Sequence, residues 1–478
     1  MKQLLTFIVL MMSHGWIHAK PDPQSKPLAL THATVIDARG GPATADTTVV
    51  IVGDRIAEVG LAEKVSVPRD AVIVDARGKF LIPGLWDMHV HWYRKEYLPL
   101  YIANGVTGVR QMYGTPALIE WRKEIAAGKL LGPRMVIASP IVDGPRPIWP
   151  ASTKVANASE ARAAVALIRR QGYDFVKVYN LISREAYFAL ADEVKKQGLT
   201  FVGHTSFAVT AAEASDAGQK SVEHLRGVLV ACSKDEVSLK KDVIDALAAK
   251  NPNPSLSLRA QLHSELQALE THDEAIAAKL FERFVRNGTW HVPTLTILRG
   301  TAFPALAASD PRLKYLPASV RAYWTRTNGP FTSEFTDRDM EDGKRVYRKH
   351  VELVGRMHRA GVKFLAGTDT SEAGYCVPGF SLHDELALLV EAGLNPMEAL
   401  QAATANPARF LGREKELGTI EKGKIADLVL LEADPLLDIK NTQKINAVAV
   451  GGKLIPQSDI TEMLSRIETA ARNERGGK

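Results

Sequence analysis

The sequence predicts an α/β chain: a (β/α)8 barrel carrying a small β-sandwich formed from both chain ends. Three observations carry this. Between Leu85 and Gly412, short apolar strands alternate with helical stretches. The segments on either side share a grammar of β-branched runs broken by turn residues. Neither flank is large enough to bury a core alone. A chain of 478 residues, 46% hydrophobic, suggests about three domains, unless one large barrel takes most of the length.

The first stretch has Lys2, the apolar run Leu4 to Met12 and a small residue at Ala19, ahead of the polar Lys20-Pro21-Asp22-Pro23. This order reads as a signal peptide over residues 1–19, with Gly15 as a rival cleavage site, and its apolar core is too short to span a bilayer. A periplasmic or secreted protein, with no membrane attachment after cleavage, is the expectation.

Residues 27–84 hold Ala33-Thr34-Val35-Ile36, Thr48-Val49-Val50-Ile51-Val52, a Gly53-Asp54 turn, Ile56 to Val59 and Ala71 to Val74, the pattern of a small antiparallel sheet. The pattern returns over 413–456, with Leu428 to Leu431, Ile445 to Val450, a Gly451-Gly452 turn and Lys453 to Ile455. Residues 457–478 form a C-terminal tail.

Eight strands are expected over 85–412: Leu85–Trp92, Val106–Met112, Arg134–Ser139, Phe175–Tyr179, Thr200–Thr205, Ser221–Leu225, Trp290–Leu295 and Lys363–Asp369. Asn395-Pro396 supplies a cap followed by proline at the first helical position, and Gly412 stops the helix after Asn406-Pro407. The stretches 233–287 and 301–350 exceed a minimal βα connection and are expected as helical insertions over the barrel mouth.

A formal charge of +6 is spread without a dense basic block, which argues against nucleic acid as a partner. Cys232 and Cys376 suffice for one disulfide, but two buried thiols are an equal reading.

The chemistry concentrates at the carboxyl ends of the strands, where a barrel keeps its active site. His89 and His91 end strand one, and a strand's period of two turns both imidazoles to one face. Lys177 lies on strand four, His204 ends strand five, His224 strand six and Asp369 strand eight. Singly each has a structural reading. Together, six side chains from five strands converging on one mouth read as a metal site. Tyr179, two residues past Lys177, shares its face. Arg110 either meets a substrate carboxylate or pairs with a neighbouring acid. His291 is a further substrate-binding candidate, although it begins strand seven and so suits the core or support of the site better. Trp149 and Tyr375 lie in loops that border the mouth.

Leu81 to His91, Val176-Lys177-Val178, Gly203-His204-Thr205, Val222-Glu223-His224, Val292 to Leu295, Ala366 to Thr370 and Gly418 to Val429 resemble the amidohydrolase superfamily, in particular its imidazolonepropionase-like and prolidase-like members. The resemblance spans nearly the whole chain after residue 19. It implies two Zn²⁺ ions, one held by His89, His91 and Asp369 and the other by His204 and His224, bridged by N6-carboxylated Lys177. It further implies Asp369 as general base then acid, a small amide or peptide substrate, and a homo-oligomer. The implied activity is hydrolysis of a dipeptide-like or N-acyl amino-acid bond by metal-activated hydroxide. A lactonase or esterase on the same site, and a non-catalytic metal-binding relative, are the alternatives. The loop Val142 to Pro150 lacks the Gly- and His-rich pattern of many dipeptidase-like members, so a prolidase specificity does not carry over.

Overall fold

The computed structural model describes residues 26–91, 94–322, 324, 329, 331–371 and 375–474. The expected signal segment and Trp92 lie outside the described residues.

Both chain ends build one eight-stranded sheet. Leu28–Val35, Thr44–Val52, Arg55–Leu61, Val72–Asp75 and Phe80–Pro83 come from the front, and Leu428–Leu431, Ile445–Val450 and Lys453–Pro456 from the back. The ends meet where Leu430 pairs with Leu81 in antiparallel register. The expected sandwich is thus a single hydrogen-bonded sheet folded over its own core, with Leu30, Val49 and Ile51 in one apolar cluster with Leu428, Leu430 and Ala447. The Gly451-Gly452 hairpin needs positive φ at both positions, and has 54° and 78° there.

The barrel strands are Leu85–His91, Val106–Gln111, Arg134–Ile137, Val176–Val178, Phe201–Gly203, Ser221–Glu223, Trp290–Val292 and Lys363–Phe364, the last continuing past Asp369 to Thr370–Ser371. They pair in parallel as two sheets. At one seam Ser139 N donates to Phe175 O. At the other, Met88 N donates to Ala366 O and Asp369 N to His89 O. These bonds join the sheets on both sides and set strand eight beside strand one.

The first insertion is helical over Glu236–Ala248, Pro254–Glu270 and Glu274–Asn287, and the second carries the long helix Asp337–Arg359. Asn253 caps the helix that Pro254 opens, its side chain accepting from Leu256 N at 2.8 Å. Asn395 and Glu398 form a capping box, and Gly412 ends the helix Ala405–Leu411 at φ 67°. The expected C-terminal tail is instead the helix Gln457–Asn473, tied down by Lys314–Glu468 and Arg94–Glu474 ion pairs. Cys232 and Cys376 are both buried and unbonded. Among the described residues no helix is long and apolar enough to cross a membrane.

Candidate metal centre and active site

Strand one presents His89 and His91 on one face, with their Nε2 atoms 3.1 Å apart. Strand eight brings Asp369 Oδ1 to 3.3 Å from the first and 3.2 Å from the second. These three side chains offer ligand atoms within 4.8 Å of one another. The His224 ring lies 4.5 Å from that of His89 and 4.9 Å from that of His204, and its Nε2 is 3.9 Å from Asp369 Oδ2. Lys177 is buried among the same groups, so the structure brings all six predicted ligands to one place.

Each buried histidine is oriented through its other nitrogen. His89 Nδ1 lies 2.7 Å from Glu223 Oε2, His204 Nδ1 2.7 Å from Asn180 Oδ1 and His224 Nδ1 2.7 Å from Thr294 Oγ1. The Thr294 hydroxyl donates to Pro293 O, which leaves its oxygen to accept from His224. With Nδ1–H engaged by an acceptor, each ring turns an Nε2 lone pair inward, the tautomer a metal requires.

Two observations test the fit of a cation. Burial holds His89, His204 and His224 well below their usual pKa, helped by neighbouring positive groups at the first two and opposed by Asp369 at His224, so they stand neutral. Lys177 Nζ is buried without a hydrogen-bond partner, and burial brings its pKa down to about 8 although Glu223 and Asp369 pull the other way. Converging lone pairs beside an orphaned amine make poor packing by themselves and a good ligand set for a positive ion.

The model of the amidohydrolase family matches residues 80–455. This chain belongs to that family. It is 42% identical to an ochratoxinase of Aspergillus niger over 110 residues, a stretch covering 22% of this chain and 22% of that protein. The matched stretch is thus only about a fifth of that curated relative's length. Among solved structures, bottromycin amidohydrolase superposes with a TM-score of 0.75 at 23% identity, covering 94% of this chain and 91% of that one. A Xaa-Pro dipeptidase with bound methionine gives 0.66 at 20%, covering 90% and 100%. At these identities the likeness speaks for the fold.

Within the amidohydrolase barrel the other candidates divide. Tyr179 packs on His204 with ring centroids 4.1 Å apart, and its hydroxyl accepts from Trp149 Nε1 at 3.0 Å. Arg110 is corrected: it is wholly buried, donating to both oxygens of Glu223, to Ser221 and to Met88 O, with nothing left for a substrate. Its second reading, pairing with an acid, is the one that holds. His291 is corrected likewise, because its ring is fully buried between Phe284 and Phe364. Tyr375 lines a neighbouring cavity with Arg299 and Arg312.

Sequence reasoning missed Glu223, Asn180, Thr294 and Arg226. Glu223 directly precedes His224, and strand alternation alone sends neighbours to opposite faces. Here His224 adopts φ 56°, breaking the alternation, and both side chains reach the centre. Asp369 (φ 58°) and Thr294 (φ 49°) are left-handed too, a concentration of backbone strain at the site. Above them opens a largely apolar cleft, walled by both insertions and floored by His224 and Asp369.

Proposed function

We propose that the chain is a dinuclear zinc amidohydrolase that cleaves the amide bond of a dipeptide-like or N-acyl amino-acid substrate. The unpartnered, buried Lys177 Nζ carries this reading. A neutral amine adds to CO₂ with loss of a proton to give a carbamate, whose two oxygens suit a bridge between cations. His89, His91 and Asp369 would hold one ion, His204 and His224 the other. When bound, such a pair supplies an acidified water and polarises the scissile carbonyl.

The chain's own groups do the rest. Asp369, at the rim between His91 and His224, takes the water's proton and returns it to the departing nitrogen. Tyr179 accepts from the indole of Trp149, which is only a donor, so its own hydroxyl proton is free to point at the carbonyl oxygen as charge develops there. Desolvation pushes this phenol's pKa up, which keeps it a donor at working pH. The amino-terminal segment supports export to the periplasm or the medium.

The test pairs each N-acyl amino acid with its ester analogue. Activity should vanish with a strong chelator, return with Zn²⁺ and favour the amide. Hydrolysis by metal-free protein would sink the reading, and an ester preference would turn it to an esterase.

A further inference from the structure

We propose that Arg226 and the apolar cleft select a leaving group that is an amino acid with a free carboxylate and a bulky apolar side chain. This rests on the amide-hydrolase reading above and narrows it. Arg226 stands two residues beyond His224 and lines the same cleft as His224 and Asp369. Its Nη1 donates to Gln261 Oε1 at 2.6 Å, while its Nε is buried without a partner. Among the described residues no carboxylate lies within ion-pair distance of it.

Among the described residues, the acids that share the cleft lie beyond ion-pair distance of Arg226. Asp339 accepts from Arg259 and Thr336 and meets His263, and Glu265 lies 3.4 Å from His350. Asp369 belongs to the metal centre. Arg226 is therefore a guanidinium with open donors beside an apolar wall, where an arriving carboxylate would be held more strongly than in water.

The wall identifies the rest of the ligand. Leu258 and Leu262 from the first insertion face Ile297 and, from the second, Phe335, Met340 and Val346. A cleft walled by these side chains offers an aromatic or branched side chain apolar contact on several sides. The departing half of the substrate is the half in question, because Asp369, which protonates the leaving nitrogen, lines this same cleft. An α-carboxylate sits one carbon from that nitrogen, near enough for Arg226 to serve both groups' placement.

The experiment compares kcat/KM of the zinc-loaded enzyme for N-acetylphenylalanine, N-acetylglycine and N-acetylphenethylamine, which lacks the carboxylate. The wild type should favour the first over both others. Arg226→Met should lower kcat/KM for N-acetylphenylalanine about 30-fold more than for N-acetylphenethylamine, mainly through KM, with Arg226→Lys between. An equal fall for both would overturn the proposal, since Arg226 would then be acting on the metal-binding histidines. So would equal wild-type rates on the three substrates. Calorimetry with 3-phenylpropionate and 3-phenylpropanol separates this inference from the catalytic reading. If the carboxylate binds in an Arg226-dependent way while no amide is cleaved, the cleft is as inferred and the amidase reading falls. If amides are cleaved and the two probes bind alike, the amidase reading stands and the cleft assignment falls.

Discussion

Arg110 and Glu223 form an ion pair sealed inside the barrel, Nη2 to Oε2 at 2.9 Å with neither side chain exposed. The same carboxylate oxygen receives His89 Nδ1 at 2.7 Å, so the pair is the floor on which the metal centre stands. A carboxylate buried this deeply needs its guanidinium, and the histidine needs the carboxylate to hold its tautomer.

Glu223→Gln should keep the shape of the side chain and lose the charge. Zinc affinity should fall about 10- to 100-fold, read by titration against a metal indicator. Arg110→Met leaves the carboxylate unpaired and should cost about 3–5 kcal/mol in denaturant unfolding. An undiminished zinc affinity in the first variant would show that His89 does not depend on Glu223.

On the proposed two-metal reading, Lys177→Ala should bind one zinc in place of two, because the carbamate oxygens offered to both ions are lost. Metal analysis of the dialysed protein reads the stoichiometry. Formate or acetate should restore part of the second equivalent by filling the space of the lost side chain. Two tightly held ions without added acid would disprove the bridge.

The strands and their order were legible because each is an apolar run between helical stretches, and the six side chains that gather at the candidate site because they end strands. Helix caps were legible at Asn395-Pro396. Contacts that depend on depth within the barrel were not. Arg110 ends its strand as a mouth residue would, yet its guanidinium turns down to Glu223 from a neighbouring register. The convergence of Glu223 with His224 requires a left-handed residue that only Gly or Asn would have advertised in sequence. The single sheet of the end domain was hidden as well, since strand pairing across 350 or so residues leaves no local trace.

Cys232 and Cys376 should both react only after unfolding. Each is fully buried, and burial pushes the Cys232 thiol up to about 12 and that of Cys376 well above its usual value, so neither offers thiolate at neutral pH. Ellman titration should find no free thiol in native protein and two in denaturant without reductant. Fewer than two would mean that the pair bridges.

Trp149→Phe removes the indole donor that fixes the Tyr179 hydroxyl while keeping an aromatic face toward Phe331, whose ring is 6.4 Å away. Zinc stoichiometry should hold and kcat should fall about 10-fold, with KM nearly unchanged, if Tyr179 acts on charge that develops in the transition state. A rise in KM at constant kcat would instead make Trp149 a wall of the binding site.

Thr294 carries strain for the sake of His224. A β-branched residue at φ 49°, ψ 48° costs about 1–2 kcal/mol relative to an extended one, and its oxygen lies 2.7 Å from His224 Nδ1. Thr294→Gly relieves the backbone and loses the acceptor. Because glycine's greater freedom in the unfolded chain offsets the relief, stability should stay within about 1 kcal/mol of wild type. Zinc affinity should nonetheless fall about 10-fold, since His224 is then free to rotate away from its ligating pose. Thr294→Val keeps the strain and loses the oxygen, so it should lose both stability and affinity. The pair of variants separates the two effects: an affinity loss in valine without one in glycine would assign the role to backbone shape, and unchanged affinity in both would remove Thr294 from the metal centre.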